Sequence, residues 1–279
     1  MKLAPDCYKC LRRLICQAAN LATKNASLKQ RAIKEATKIL DAEFSYSQIS
    51  IVIATKINKV VREITHNPDP YRKMKERELA IARESFPELR SRYRDNLRGC
   101  LKLAAAANVI DFFREPGSIK EDIRKTVTFT LDDSEWLEAR LREADKVLYM
   151  ADNAGELYFD LPLVNWMKQF AQVTYVVKPS PVQDDLTLED IKRSGMQGEF
   201  GKVMSTGIAA PGVVFSLASP QFRQEFESAD LIFAKGMGHY EALSEFPPEG
   251  KFFYCLMAKC QPVADSLGVP VNSYIAMLQ

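Results

Sequence analysis

Acidic, amide and lysine side chains in this chain stand where short apolar runs end. The run VLYMA at 147–151 stops at Asp152 and Asn153, and Asp185 lies a few residues beyond a second run at 173–177. Carboxylate and amide oxygens are the ligands that Mg²⁺ and Mn²⁺ prefer, and three of them leave coordination positions for water and substrate. We therefore interpret Asp152, Asn153 and Asp185 as candidate ligands of a divalent metal ion, although each could also simply end a strand or cap a helix.

Three lysines and two glycine-containing turns stand at comparable places. Lys178, Lys235 and Lys259 each follow an apolar run and could neutralise the charge of a phosphate group. Backbone amides and hydroxyls at 205–207 and 236–238 could bind phosphate oxygens, as anion-binding turns do. A metal ion, lysines and amide donors together are suited to phosphoryl transfer. The sequence contains neither a P-loop pattern nor the glycine fingerprint of dinucleotide-binding folds.

Other polar residues are candidate substrate contacts. Glu156 is one helical turn beyond Asn153 and could orient a ligand or a substrate hydroxyl, and His239 lies in the second glycine turn. Asn108 and Asp111 are three residues apart on one helix face, where a buried polar pair needs partners. The predicted catalytic residues are Asp152, Asn153, Asp185 and Lys235, and the predicted substrate contacts are Glu156, Lys178, Ser205, Thr206, Gly207, Gly236, His239, Asn108 and Asp111.

Parallel strands are the elements that would bring these residues together. Short apolar runs alternate with helical patterns at 156–169, 186–194 and 218–228, which is typical of βαβ units. In such a sheet helices cover both faces, and all strand carboxyl ends meet at one edge, where ligands bind. The predicted strands are 147–151, 173–177, 202–205, 231–234 and 252–258.

The amino-terminal part has a different pattern, with apolar residues at helical spacing. Capping boxes that begin at Ser27 and Ser45 predict two helix starts, and a further helix is predicted at 97–113. The predicted architecture is α/β: a helical subdomain, residues 1–125, attached to a three-layer α/β/α domain with a mainly parallel sheet, residues 126–279.

Composition narrows the classes of function. The chain has 279 residues, of which 27% are charged and 47% hydrophobic, and a formal net charge of +2. This balance gives no electrostatic case for nucleic acid as the main partner. No apolar run approaches the ~18 residues needed to span a bilayer, and the start MKLAPDCYKC lacks the apolar core of a signal peptide. We therefore expect a cytoplasmic protein with no membrane or nucleic-acid partner.

Six cysteines are too few for a disulfide scaffold in a chain of this length. Cys7 and Cys10 share one helix face, but a four-thiolate zinc site would need further ligands from elsewhere in the chain. A thioredoxin-like pair would follow a strand, and none is predicted before Cys7. Packing thiols, a metal site and a redox pair all stay open. The chain has only two histidines, His66 and His239, which excludes a histidine-rich metal site.

An ordered series of short motifs runs over nearly the whole chain. In order these are Cys7-Tyr8-Lys9-Cys10, Asn67-Pro68-Asp69-Pro70-Tyr71, Asn108-Val109-Ile110-Asp111, Asp152-Asn153-Ala154-Gly155-Glu156, Lys178 with Asp184-Asp185-Leu186-Thr187, Ser205-Thr206-Gly207 and Lys235-Gly236. As a set the motifs resemble the damage-control phosphatase family, first catalogued as domain of unknown function 89, in its subfamily with an amino-terminal CxxC. The ordered set is far more specific than any one of its members.

The resemblance implies a helical subdomain beside an α/β/α domain. It also implies a divalent-metal-dependent phosphatase that acts on small phosphorylated metabolites such as sugar phosphates. The cofactor would be Mg²⁺, Mn²⁺, Co²⁺ or Ni²⁺ bound by Asp152, Asn153 and Asp185, and Lys235 would contact the phosphate. Two nucleophiles stay open: water activated by the metal, or an aspartate that forms a phospho-enzyme.

The chain departs from the family pattern at three places. Asp184 stands where Asn is expected, and Ala107 stands where Gly is usual. Met237 and His239 lie in a segment that often reads Gly-Gln-Gly-Asn. These departures keep the metal ligands and change the expected shape of the substrate pocket.

Two other functions are compatible with the sequence. A protein that binds a metal ion or a phospho-metabolite without turnover would keep the same ligands at the same edge. A thiol-based redox or metal protein would instead use Cys7 and Cys10. Activity that is lost with these thiols and kept without Asp152 would favour the second alternative.

Overall fold

The computed structural model describes residues 1–111 and 116–279. Within them the chain forms one seven-stranded sheet and a set of helices. The strands are β1 (Phe129–Asp132), β2 (Lys146–Met150), β3 (Gln172–Val177), β4 (Lys202–Ser205), β5 (Leu231–Lys235), β6 (Phe252–Met257) and β7 (Tyr274–Leu278). The helices are α1 (Pro5–Ala22), α2 (Ala26–Glu43), α3 (Ser50–Thr65), α4 (Arg72–Arg92), α5 (Leu97–Ala106), α6 (Pro116–Asp122), α7 (Ser134–Glu143), α8 (Leu157–Met167), α9 (Leu188–Arg193), α10 (Pro220–Ser228), α11 (Gly236–Leu243) and α12 (Gln261–Leu267).

The order of the strands determines where a ligand can bind. The sheet runs β1-β7-β6-β5-β2-β3-β4, and its neighbours are parallel except for the antiparallel pair β6 and β7. From β2 the chain adds β3 and β4 on one side, then returns to place β5 and β6 on the other. A reversal of this kind leaves a crevice at the strand carboxyl ends, and ligands bind there in open α/β sheets. In this chain the crevice lies between β2 and β5.

Helices cover both faces of the sheet. Val147 and Tyr149 of β2 share a buried cluster with residues of α5, α7 and α8. The alternate residues Leu148 and Met150 share another cluster with residues of α10, α11 and α12. Because side chains alternate along a strand, this burial on both faces explains the continuous apolar character of the central strands. The predicted three-layer architecture with a mainly parallel sheet is confirmed.

The amino-terminal helices α1, α2 and α3 pack on one another around a core of their own that contains Ile15, Leu40 and Ile57. Helix α5 instead belongs to the layer on the sheet, where Leu101 shares a cluster with Tyr149. The division of the chain at residue 125 stays a prediction. Among the described residues, none of the helices combines the length and the apolar character that crossing a membrane requires.

The five strands expected from the sequence are confirmed as β2 to β6. Strands β1 and β7 were not predicted. β1 has only four residues and a mixed burial pattern, and β7 is half-buried at three of its five positions. Neither segment therefore has the continuous apolar run that marks the central strands.

The two predicted capping boxes are wrong. Helix α2 begins earlier, because the side chain of Asn25 accepts a hydrogen bond from the backbone N–H of Leu28 at 3.1 Å. Helix α3 begins later, at Ser50. There the backbone N–H of Leu3 donates to the carbonyl of Gln48 at 2.9 Å, and this pairing holds the preceding residues in an extended conformation.

The helix predicted at 97–113 is shorter in the structure. α5 ends at Ala106 and passes into a 3-10 turn at Ala107–Val109. The last two predicted positions, 112 and 113, lie outside the described residues.

Candidate active site

A short antiparallel pairing joins the end of β2 to the loop after β3. The backbone N–H of Leu186 donates to the carbonyl of Asp152 at 2.8 Å, and Asn153 is paired directly with Asp185. Residues opposite each other in such a pairing have neighbouring side chains. The three predicted metal ligands therefore lie together, and all three line one cavity of about 500 Å³.

The amide of Asn153 is oriented by the backbone. Its Nδ2 donates to the carbonyl of Ile110 at 3.1 Å, and the side chain is almost completely buried. Because the nitrogen is used in this way, the amide oxygen is the atom that remains for a cation.

Asp185 is held by a buried lysine. The Nζ of Lys178 lies 3.3 Å from Oδ2 of Asp185, contacts the carbonyl of Gly212 and donates to Nε2 of His239 at 3.4 Å. His239 in turn donates from Nδ1 to the carbonyl of Lys235 at 2.7 Å. Burial and the charge of Lys178 keep the pKa of His239 well below its usual value. Lys178 and His239 thus support Asp185, and neither belongs to the described lining of the cavity.

Gly236 leaves space for the carboxylate of Asp152. Its φ of +75° is in the left-handed region, and a Cβ at this position would lie 1.8 Å from Oδ2 of Asp152. Any side chain here would therefore have to displace the carboxylate or the backbone. The glycine predicted as a substrate contact acts in the structure by its lack of a side chain.

Lys235 is fully buried behind this edge. Its Nζ donates to Oδ1 of Asp160 at 2.7 Å and to the carbonyl of Ala104 at 2.9 Å, and it also contacts Glu156. An ammonium group has three protons, and these three partners account for them. Burial alone would lower the pKa of Lys235, but the carboxylates of Asp160 and Glu156 raise it above its usual value. Its role as a phosphate contact stays a prediction.

Asp160 is the centre of the network around Lys235. Its Oδ1 accepts a hydrogen bond from the hydroxyl of Tyr149 and its Oδ2 accepts one from the hydroxyl of Tyr175, both at 2.8 Å. The two tyrosines stand on the neighbouring strands β2 and β3. The network therefore links α8 to three strands of the sheet, because Lys235 ends β5.

Lys259 is the predicted cation that does reach the cavity. It follows β6 and lines the cavity together with Asp111, whose Oδ2 accepts a hydrogen bond from its Nζ at 2.6 Å. The side chain of Lys259 is 16% exposed, whereas those of Lys178 and Lys235 are at most 1% exposed. Of these three lysines, Lys259 is the one that lines the cavity.

The electrostatics of the cavity favour a divalent cation. Burial, and then the charge of Asp185, raise the pKa of Asp152 to about 7. Burial raises the pKa of Asp185 to about 6, against the opposing effect of Lys178. A cation would relieve the desolvation and the repulsion at these carboxylates. Two carboxylates, an oriented amide oxygen and the space left by Gly236 fit a hard divalent metal ion.

The candidate metal set combines carboxylate and amide ligands. The part of the chain that the structure describes contains no group of three or more His, Cys, Asp or Glu side chains arranged to hold a metal ion. The set proposed here has two carboxylates, and its third ligand is the amide of Asn153. An amide is a weaker and neutral ligand, so water and substrate oxygens would complete the coordination.

Two buried acids lie next to the site: Asp184, which belongs to one of the motifs quoted from the sequence, and Glu78, which was not expected as a functional group. Burial, and then the charge of Asp111, raise the pKa of Glu78 to about 8. The pKa of Asp184 is also well above its usual value, first by burial and then by Glu78. Neither carboxyl group, nor the amide of buried Asn108, has a hydrogen-bond partner among the described residues. Glu78 lies in a densely charged helix, so nothing in the sequence distinguishes it from surface residues.

The structure does not bring Ser205, Thr206 and Gly207 to the cavity lining that it describes. Thr206 uses its backbone N–H for the carbonyl of Val177, at 3.0 Å, and its hydroxyl for the carbonyl of Ile208, at 2.8 Å. These residues follow β4, which is the edge strand of the sheet and two strands away from the crevice. Their role as phosphate donors, like that of Asn108 as a substrate contact, stays a prediction without geometric support.

Three thiols line the cavity, from Cys7, Cys10 and Cys260. Burial raises the pKa of Cys7, and it raises the pKa of Cys260 to about 12. A reactive cysteine needs the opposite shift, because the thiolate is the nucleophile. The raised pKa values of these thiols therefore do not favour redox chemistry over packing.

Comparison with known proteins places this site in context. Residues 3–275 match the family model described as the damage-control phosphatase ARMT1-like domain. The chain is 34% identical to an uncharacterised protein of Methanocaldococcus jannaschii, over 99% of this chain and 95% of that protein. It is 32% identical to a protein of Pyrococcus horikoshii named damage-control phosphatase, over 99% of this chain and 98% of the other. A protein of Archaeoglobus fulgidus with the same name is 30% identical, with 99% of both chains covered.

The fold has a similar solved structure. A crystal structure of a protein of the duf89 family from Pyrococcus horikoshii superposes with a TM-score of 0.89 and 31% sequence identity. The superposition covers 100% of this chain and 99% of that chain. The similarity therefore extends over the helical part and the α/β/α part together.

Proposed function

The chain belongs to the damage-control phosphatase ARMT1-like family, and from that premise we propose a divalent-metal-dependent phosphatase that acts on small phosphorylated metabolites, with sugar phosphates among them. Phosphatase activity follows from the family. The dependence on a metal and the class of substrate are our proposal. A cytoplasmic location and the CxxC subfamily belong to the same proposal.

One observation supports it more than any other. The pairing of the end of β2 with the loop after β3 places Asp152, Asn153 and Asp185 together in one cavity. A protein that needed these residues only as turns or helix caps would have no reason to bury two carboxylates side by side, because burial without a partner is costly. The arrangement therefore supports a bound cation as part of the function.

A divalent ion held by Asp152, Asn153 and Asp185 would act as a Lewis acid on a phosphate oxygen. Lys178 keeps Asp185 in place for this role, and the carbonyl of Ile110 keeps the amide of Asn153 turned. Lys259 supplies positive charge inside the cavity, where the negative charge of a phosphate needs compensation. Electrostatic positioning of this kind provides most of the catalysis in phosphoryl transfer.

Glu156 acts beside this set rather than within the cavity. It contacts Lys235, and burial, opposed by Lys235, raises the pKa of Glu156 to about 7. A carboxyl group with such a pKa changes its protonation near neutral pH and can therefore hold or release a proton next to the metal ligands.

The test is phosphate release by metal-stripped protein, with Mg²⁺, Mn²⁺, Co²⁺ or Ni²⁺ restored one at a time. The substrates are a panel of sugar phosphates, and Asp152→Ala is compared with Asp145→Ala, which changes an exposed aspartate directly before β2. We expect turnover that requires a metal, that disappears in Asp152→Ala and that persists in Asp145→Ala. Metal binding through Asp152 without turnover of any phosphate ester would instead identify a non-catalytic binding protein.

A further inference from the structure

The cavity that contains the candidate metal ligands has a second, apolar side. Helices α1 and α3 provide it through Leu11, Leu14, Ile51 and Ala54, each at most 5% exposed. The polar side consists of the segments that follow the strands, with Asp152 among them. The cavity therefore presents charge to one part of a ligand and hydrocarbon to another.

The polar residues contributed by the same helices do not change this character. Asp6, Cys10 and Arg13 also line the cavity, but each is an exposed residue. The hydroxyl of Ser50 already donates to the carboxylate of Glu241. The sulfur of Cys7 accepts the backbone N–H of Ala4 at 3.4 Å. The buried surface that α1 and α3 present to a ligand is therefore hydrocarbon.

The size of the cavity makes this surface relevant to the substrate. Pockets that bind small organic molecules typically have volumes of roughly 300–1,000 Å³. The volume of this cavity, about 500 Å³, lies in that range and is far more than a phosphate group needs. A sugar placed against Leu14 and Ile51 would lose the hydrogen bonds that its hydroxyls make with water, without replacing them. An alkyl or aryl group there would gain from the burial of its apolar surface.

We propose that the preferred substrates of this site are phosphate monoesters with an apolar body, which packs against Leu14, Ile51 and Ala54 while the phosphate meets the metal ligands. This inference rests on the proposed phosphatase function and narrows its substrate class. The reaction is ester hydrolysis: the bond from phosphorus to the ester oxygen breaks and the oxygen of a water molecule bonds to phosphorus. One proton of that water goes to the leaving alkoxide, and the other stays with the phosphate. The products are an apolar alcohol and inorganic phosphate.

A homologous series of substrates tests the proposal. With Mn²⁺-loaded protein, kcat/KM is measured for methyl, butyl and hexyl phosphate, for phenyl phosphate and for glucose 6-phosphate. We expect kcat/KM to increase up to about fourfold for each methylene that is buried. Hexyl phosphate, whose leaving group is an alkoxide like that of glucose 6-phosphate, should exceed glucose 6-phosphate by roughly tenfold or more. A series without dependence on chain length, or one in which glucose 6-phosphate is preferred, would overturn the inference.

Two variants locate the effect. Ile51→Val and Ile51→Ala should lower the ratio of kcat/KM for hexyl phosphate to that for methyl phosphate, by about threefold and about tenfold, because they remove contact area. The matched control is Ile53→Val, since Ile53 is buried in the same helix and lies outside the described lining of the cavity. Its ratio should equal that of the wild type. A ratio that both Val variants lower equally would contradict the assigned surface. A variant that is partly unfolded has a lower concentration of active enzyme, but this affects both kcat/KM values equally and cancels in their ratio.

Binding separates this inference from the proposed function. Hexylphosphonate and methylphosphonate, which are not hydrolysed, are titrated into the metal-loaded protein by calorimetry. If no ester is turned over, the phosphatase proposal fails, yet tighter binding of hexylphosphonate would still support the apolar side of the site. If sugar phosphates are turned over and the two phosphonates bind equally, the phosphatase stands and the apolar-body inference falls.

Discussion

At the scale of single residues, Gly236 is the position where one added carbon atom would have the clearest effect. Gly236→Ala would place a Cβ within 1.8 Å of Oδ2 of Asp152 and would also strain the backbone, whose φ is +75°. We expect Mn²⁺ affinity, measured by calorimetry, to fall by roughly 100-fold because the carboxylate must move. Phosphate release should fall with it.

The control for Gly236→Ala is Gly250→Ala. Gly250 has a similar φ of +71°, but a Cβ there would meet no atom within 4 Å. The backbone strain is therefore matched and the collision is absent. Similar losses of metal affinity in the two variants would show that the space beside Asp152 is irrelevant.

The buried carboxyl of Asp152 predicts how stability changes with pH. Burial and Asp185 raise its pKa to about 7 in the folded, metal-free protein, above the value of an aspartate in an unfolded chain. The stability that this protonated group contributes is complete at low pH and is lost as the pH rises through about 7. We expect the Tm of chelator-treated protein to fall between pH 5 and pH 8, with a smaller fall in Asp152→Asn.

This difference in Tm is measured by calorimetry, with Asp145→Asn as the exposed control. A contribution of about 1 kcal/mol corresponds to roughly 2–4 °C in a chain of this size. Equal pH dependence in wild type and Asp152→Asn would mean that the carboxyl is not perturbed as described. Addition of Mn²⁺ should restore the Tm of the wild type at pH 8, because the cation replaces the proton.

The structure shows that Lys235 is fully buried whereas Lys259 lines the cavity, a difference in position that the sequence alone did not show. Lys235→Met would leave the carboxylates of Glu156 and Asp160 buried without their cation, which typically costs about 3–5 kcal/mol. Lys259→Met removes a cation from the cavity and should mainly lower kcat/KM. Urea unfolding and phosphate release measured on both variants separate the two roles. A Lys235→Met protein that is as stable as the wild type but has lost its activity would instead support Lys235 as the phosphate contact.

At the scale of elements, the loop between β3 and α9 is the part on which the site depends most. It contains Asp185 and ends in a capping box, where Thr187 and Asp190 exchange hydrogen bonds and Asp190 also accepts one from buried Lys75 at 3.0 Å. Thr187→Ala removes the cap, and we expect a loss of about 1 kcal/mol in the free energy of unfolding. Because Asp185 is two residues away, Mn²⁺ affinity should fall roughly tenfold as well.

Asn25→Ala is the matched loss of a cap at the start of α2, in the helical part of the chain. It should cost a similar free energy of unfolding, measured in urea, and should leave Mn²⁺ affinity unchanged. If both variants weaken metal binding to the same extent, the effect belongs to general destabilisation rather than to the loop.

The sequence predicted these elements unevenly, for physical reasons. Central strands such as β2 and β5 are buried on both faces, so they appear as uninterrupted apolar runs, and Asp152 could be placed at the carboxyl end of one of them. β1 and β7 are partly exposed and have no such run. The start of α3 was missed because its position depends on pairing with the first residues of the chain. Likewise, only the folded structure shows that Glu78 is buried beside the site.

At the scale of the whole molecule, the division at residue 125 can be tested directly. Leu97 and Leu101 of α5 share a core with Tyr149 and Phe233 of the sheet, so a fragment of residues 126–279 would lack one part of that core. We expect the complete chain to unfold in one cooperative transition and the fragment to show none, by calorimetry. A fragment with a sharp transition of its own would show that α5 is dispensable for the sheet.

The network around Asp160 has a consequence for how this sequence can drift over generations. One carboxylate accepts hydrogen bonds from Tyr149, Tyr175 and Lys235, and these residues come from three different strands. A first mutation at Asp160 would leave two buried hydroxyls without their acceptor and would remove one of the two carboxylates that pair with Lys235, so selection would remove it before a compensating second mutation could arise. Replacement of Tyr149 or Tyr175 by phenylalanine removes only one hydrogen bond to Asp160 and is therefore a first change that selection tolerates more readily. We therefore expect epistasis in mutational libraries: Asp160 becomes replaceable by apolar residues only in backgrounds where Lys235 has already changed.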